Sequence, residues 1–281
     1  MIYLLITLYI TAVVIYTQVF KFALQAAKNH AAMTVIMEII SALFLLAFIP
    51  LFNWRLPTTW LPVVLLIIAS IFYGLSDRIN TTVQSGVEAS TYSIIKQLAT
   101  VLMFISSFVF FGEPFVVWKV IGAALIIGSN IIIFWKPHQK INKYFLMGVG
   151  STILSAVALF FDVNISGQFN LPFYLIISFV VSAITVTIVC KVSPKKIITE
   201  CRQNKRIWYM VLVGLASAGL MLTNLLAYQT ERVSIVAPLL ATTVLANVIV
   251  GYIVLKERDH LVKKIFAACL IIIGVIILSF V

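Results

Sequence analysis

Charge is scarce in this chain. Only 10% of its 281 residues are Asp, Glu, Lys or Arg, against roughly 25% in soluble domains. So few charges cannot cover a water-facing surface, which makes lipid the solvent. Acid is scarcer than base: nine Asp+Glu stand against 20 Lys+Arg, for a net charge of +11. The positive residues sit between apolar runs, where they set membrane orientation, so nucleic acid is not expected as a partner. The three cysteines, Cys190, Cys201 and Cys269, lack metal-ligand spacing, and His30, His138 and His260 fall between apolar runs. Disulfides, zinc and haem find no support, and neither metal nor cofactor is expected. No G-x-x-x-x-G-K-[ST] run is present, so ATP is not the direct driver. Nothing alternates as a barrel strand does, which leaves a helical bundle. The first segment has no basic n-region and exceeds an h-region in length; it reads as a retained helix.

What is abundant is apolar sequence: 62% of residues, at a mean hydropathy of +1.12. A transmembrane helix needs about 20 mostly apolar residues. Ten such spans are predicted, at 2–26, 31–52, 58–84, 89–111, 115–135, 143–165, 171–190, 207–230, 233–255 and 261–281. Pro57, Pro114 and Pro172 stand near helix starts, where a missing N–H costs little. Pro50, Pro137 and Pro194 lie at or beyond helix ends, and Pro238 should kink the ninth span. One linker is long, Lys191 to Arg206, with six basic residues. It reads either as a short amphipathic helix on the anionic membrane face or as a solvated loop.

The chain also repeats itself. Asn80, Ser90, Glu113, Lys119, Ile121, Ala123 and Ala124 find Asn224, Ser234, Glu257, Lys263, Ile265, Ala267 and Ala268 at one common offset of 144. Each half, 1–136 and 143–281, holds five spans. An odd number makes the second half enter the membrane from the opposite side, so the repeats are inverted. Fourteen of the 20 Lys+Arg lie in loops after odd-numbered spans, and three lie on the opposite side. The positive-inside rule then puts the odd loops in the cytoplasm and both termini outside. The expected fold class is an all-α integral membrane protein of ten transmembrane helices arranged as two inverted five-helix repeats.

A short motif recurs at the fourth and fifth spans of each half. It stands as Phe111-Gly112-Glu113-Pro114 with Gly122-Ala123-Ala124-Leu125, and as Leu255-Lys256-Glu257-Arg258 with Phe266-Ala267-Ala268-Cys269. This architecture and motif resemble the drug/metabolite transporter superfamily, specifically its EamA-type members. Their early proline in the fourth helix matches Pro238; the first half carries Ile94 there, and Phe266 replaces the glycine seen at Gly122. The resemblance implies alternating-access transport of small organic solutes, often export of amino acids, metabolites or drugs.

Ionisable residues in apolar helices cost roughly 2.5–3.5 kcal/mol each on insertion scales. Lys21, Glu38, Asp77, Arg78 and Lys96 are five such residues, all in the first half. They read as a pathway in which Glu38 and Asp77 balance two cations and a third remains for an anionic group such as a carboxylate. The alternative is ion pairing between helices, with Lys21 and Arg78 snorkelling. Lys96, flanked by Tyr92 and Gln97, lies deeper and is the main candidate. Tyr73, Asp77 and Asn80 share one helical face, as do Asn224 and Tyr228. Inverted repeats bring Asn80 and Asn224 to one midplane cavity, unless both merely bond neighbouring helices. The expected substrate-binding or gating set is Lys96, Tyr92, Gln97, Tyr73, Asp77, Asn80, Asn224 and Tyr228. Glu38, Asp77 and Asp162 are the candidate proton carriers, although Asp162 reads as a solvated helix-end acid. Glu113 and Glu257 read as helix-start acids that favour the dipole. Gly148, Thr152, Ser155 and Ala156, with Gly214, Ser217 and Ala218, read as packing positions. Trp54, Trp60, Trp135 and Trp208 suit the interfacial belt, and Phe104 is a further cavity candidate.

The leading expectation is therefore a secondary transporter in the cytoplasmic membrane, exporting amino acids or related metabolites. Multidrug or cationic-compound efflux is the alternative. An intramembrane enzyme needs a nucleophile with its base, a metal pair or an acid dyad, and no histidine falls in a span. A scaffold role gains nothing from the duplication.

Overall fold

The computed structural model describes residues 2–99, 101–102, 117–134, 143–230, 236, 240, 243–256 and 261–280. Phe104, residues 111–114, Trp135, Lys136, Pro137, His138, Lys140, Arg232, Ser234, Pro238, Glu257, Arg258 and His260 lie outside the described residues. The described residues form helices and contain no strand. In chain order they are α1 (Ile2–Leu24), α2 (His30–Leu46), α3 (Leu61–Gly86), α4 (Ala89–Lys96) and α5 (Val117–Phe134). Then come α6 (Lys143–Ile165), α7 (Leu171–Val189), α8 (Pro194–Gln203), α9 (Tyr209–Thr230), α10 (Thr243–Val254) and α11 (Leu261–Phe280). Five stretches are long and apolar enough to cross a bilayer: α1, α3, α6 with its short extension to Gln168, α7 and α9. Shorter apolar helices include α2 and α10. The chain is a multi-pass membrane protein.

Local chemistry explains the boundaries. The span expected over 31–52 ends as an α-helix at Leu46 and continues as a 3-10 turn, Ile49–Leu51, around Pro50, which has no N–H to donate. Asn29 caps α2 by accepting from the Ala32 N–H at 3.0 Å. Asn170 caps α7 in the same way through Phe173 N–H at 3.1 Å. The Asn170 amide also donates to the carbonyls of Ile49 and Phe52, tying the α2–α3 connection to α7. Pro194 lies beyond the end of α7, as expected, and also opens α8, since N1 has no N–H partner to lose.

The long linker thus contains a helix. Its Glu200 is buried and accepts backbone N–H groups of Lys28 (3.1 Å) and Asn29 (3.0 Å). Arg206 donates to the Phe22 carbonyl at 2.9 Å and sits over the Phe22 ring. Lys264 forms a salt bridge with Glu88 at the same end of the bundle.

The helices pack as pairs. α1 lies on α9 and α3 on α6; α2 lies on both α7 and α9, and α3 also on α7; α4 meets α10, and α5 meets α11. Aligning α1–α5 in order with α6, α7, α9, α10 and α11 maps this set of pairs onto itself. Two hydrogen bonds show the same correspondence. Ser182 Oγ donates to the Ser70 carbonyl at 2.9 Å, and Ser41 Oγ donates to the Gly214 carbonyl at 3.1 Å. Positions 70 and 214 are themselves one offset of 144 apart.

Glycine permits both approaches. A Cβ on Gly74 would stand 2.8 Å from the Ser182 carbonyl oxygen, and one on Gly214 would stand 2.4 Å from Ile40. Around the outside, Leu43, Ile184, Ile188, Leu212 and Ile253 are exposed, as side chains that face lipid must be.

Candidate functional site

The helix pairs enclose a cavity of about 240 Å³. α1 contributes Tyr9, Tyr16 and Thr17; α2 contributes Glu38; α3 contributes Tyr73, Asp77 and Asn80. α4 contributes Tyr92, Ser93 and Lys96, followed by Gln97. The second half supplies Ser155 and Leu159 from α6, and Ser178, Phe179 and Ser182 from α7. It also supplies Ser217, Leu220, Met221, Asn224 and Tyr228 from α9, together with Leu240 and Thr243. On α3 the spacing i, i+4, i+7 puts Tyr73, Asp77 and Asn80 on one stripe. Ser217, Met221, Asn224 and Tyr228 form the matching stripe of α9.

The two walls correspond position by position. At the offset of 144, Glu38 pairs with Ser182, Tyr73 with Ser217, Asp77 with Met221, Asn80 with Asn224, Lys96 with Leu240, and Ala99 with Thr243. Both members of every one of these pairs line the cavity. The chemistry is nevertheless one-sided. Every ionisable partner belongs to the first half, and its counterpart is Ser, Met or Leu.

Lys96 Nζ donates to Ser155 Oγ at 2.9 Å across the two halves and lies beside Asp77. Asn80 Nδ2 donates to Asp77 Oδ1 at 3.3 Å and to Ser76 Oγ at 3.2 Å. Glu38 is fully buried, and no donor meets either of its carboxyl oxygens. Its carboxyl faces that of Asp77. The amide oxygens of Asn80 and Asn224 are also buried without a donor. Unsatisfied polar atoms that border a cavity are positioned to bind what enters it.

Several expectations need correction. Lys21 is not on the cavity wall. Its ammonium donates to the carbonyls of Gln84 and Val87, 2.7 Å each, at the C-terminus of α3, where orphan carbonyls and the helix dipole favour a cation. Arg78 donates to Thr82 Oγ1 one turn along α3. Asp77 lines the cavity and Arg78 does not. The expected positive excess is therefore reversed: two carboxyls and one ammonium line the cavity. Asp162 is not a solvated helix-end acid. It is fully buried and accepts from the hydroxyl of Tyr174 on α7. It stands behind Tyr73, outside the cavity wall. Ser155 and Ser217, read as packing positions, line the cavity instead.

Sequence reasoning missed Tyr9, Tyr16, Thr17, Ser178 and Ser182. Tyr9 and Tyr16 are spaced i, i+7, and Ser182 is the repeat counterpart of Glu38, so the duplication held a usable signal. Among the described residues, no group of three His, Cys, Asp or Glu gathers as a metal site.

Comparison with known proteins bears on this arrangement. A solved crystal structure of a protein, 13% identical, superimposes with a TM-score of 0.66 over 98% of this chain and 96% of that one, which shows a shared fold. No curated protein matches in sequence. Residues 142–280 match the EamA-like transporter family. Through that second half the chain belongs to the EamA-like transporter family, part of the drug/metabolite transporter superfamily.

Proposed function

We propose that this protein is a secondary transporter that exports small organic solutes, amino acids or related metabolites, across the cytoplasmic membrane by alternating access. Two inverted five-helix repeats, 1–136 and 143–281, rock about the cavity between them. The observation that carries the reading is the pairing of repeat-equivalent positions around one cavity. A pseudo-two-fold axis through a central site produces such pairing, and inverted repeats place their sites there. The self-consistent set of helix pairs supports the same axis. Lys96, Tyr92, Gln97, Tyr73, Asp77, Asn80, Asn224 and Tyr228 then bind or gate the substrate.

Proton coupling suits the acids. Glu38 faces Asp77 from α3 and Tyr16 from α1, with Lys96 from α4 beyond Asp77. A proton shared by the two carboxyls supplies the donor that Glu38 lacks. Asp162 reaches the cavity only through Tyr73.

Reconstitution in liposomes tests the proposal. Counterflow of a metabolite panel should show saturable exchange that Lys96→Ala abolishes. Silence across the panel would refute transport of such solutes.

A further inference from the structure

The one-sided chemistry of the cavity bears on what it carries. Glu38 offers two buried carboxyl oxygens and meets no donor. The neighbouring carboxyl, Asp77, already has Lys96 beside it and the Asn80 amide as a donor. Lys96 in turn donates to Ser155. Among the described residues that line the cavity, Lys96 is the one lysine or arginine. One ammonium against two carboxyls leaves a single negative charge, which the shared proton matches in the empty cavity and a ligand's ammonium matches once that proton has left. It leaves no cation free for a carboxylate.

The surroundings of Glu38 suit a cation as well. Tyr9, Tyr16, Tyr73, Tyr92 and Tyr228 line the same space, and tyrosine rings attract a desolvated ammonium by their quadrupoles. Packed beside Tyr73 and beside Tyr9 and Tyr228, the positions equivalent to Asp77 and Lys96 are Met221 and Leu240, which accept an apolar group.

We infer that the cavity is built for a small aliphatic or aromatic monoamine, its ammonium on Glu38 and its apolar end against the Met221 and Leu240 side. This rests on the transport reading and narrows it. An alkyl ammonium keeps its charge at neutral pH, as the lysine side chain does. A carboxylate in the same place meets the Glu38 and Asp77 carboxyls and is repelled. An amino acid gains at its ammonium and loses at its carboxylate, so it is selected against relative to the amine of the same skeleton.

A matched triplet tests this. Isoamylamine, leucine and 4-methylpentanoate share one branched skeleton and carry an ammonium, both groups, and a carboxylate, respectively. Wild-type proteoliposomes should exchange isoamylamine with a half-saturation at least roughly tenfold lower than either of the others. In detergent, isoamylamine alone should raise the melting temperature of the purified protein. Glu38→Gln should remove both effects, and Glu38→Asp should restore part of each. The melting shift needs no turnover, and a folded Glu38→Gln protein is recognised by a cooperative melt. Transport of leucine or 4-methylpentanoate at equal or better affinity overturns the inference and leaves the transporter reading standing. So does exchange of other metabolites with none of the triplet. An undiminished melting shift in Glu38→Gln overturns the assignment to Glu38. Absence of exchange for the triplet and for the whole panel overturns both readings.

Discussion

Lys96→Met gives the sharpest test of the cavity, because it removes a charge at nearly constant shape. The wild-type ammonium donates to Ser155 at 2.9 Å and lies beside Asp77. Its removal leaves the facing Asp77 and Glu38 carboxyls with no cation beside Asp77. Close charge pairs in protein interfaces show coupling of about 1.5–7 kcal/mol in double-mutant cycles. Lys96 is only half-buried, so the low end applies, about 2 kcal/mol. At roughly 2–4 °C per kcal/mol, that is a fall in melting temperature of about 4–8 °C. The single variant mixes lost attraction with carboxyl repulsion, so a cycle is needed. Asp77→Asn is made alone and with Lys96→Met, and each protein is melted in detergent and assayed for counterflow. The double variant should melt above the additive expectation by about the coupling energy. Additivity within about 0.5 kcal/mol would refute the pairing of Lys96 with Asp77, and with it the charge balance assigned to the cavity.

Three further outcomes follow from packing and topology. Gly74→Ala drives a Cβ to 2.8 Å from the Ser182 carbonyl, and such overpacking should destabilise by about 1–3 kcal/mol, read as a lower melting temperature. Tyr174→Phe strips the buried Asp162 of its hydroxyl donor and should cost about 1–3 kcal/mol, whereas Tyr3→Phe on the exposed start of α1 should cost nothing measurable. Cys201 is exposed on α8, within the loop assigned to the cytoplasm, so a membrane-impermeant maleimide should label it only after the cells are opened. Labelling in intact cells would invert the proposed topology.

Much of the cavity was legible beforehand, and the reason is helical geometry. Tyr73, Asp77 and Asn80 declare a common face by spacing alone, and the shared offset ties Asn80 to Asn224. Spacing does not say which neighbour a side chain meets. Lys21 and Arg78 look like cavity cations until the end of α3 and Thr82 are seen to hold them. Asp162 looks like a surface acid until Tyr174 of α7 is seen to donate to it.

The sequence by itself determined the solvent and the class of fold. Charge at 10% places the chain in lipid, where only helices and closed barrels satisfy their own backbone hydrogen bonds, and apolar runs of bilayer length without strand alternation leave helices. The odd number of spans per half and the basic loops carried the topology no further than an expectation. Only the tertiary structure decided the sign of the cavity. Local sequence counts charges, but contacts between distant helices decide which of them are already spent. Glu38 is the residue left over, buried without a donor at the centre of the bundle.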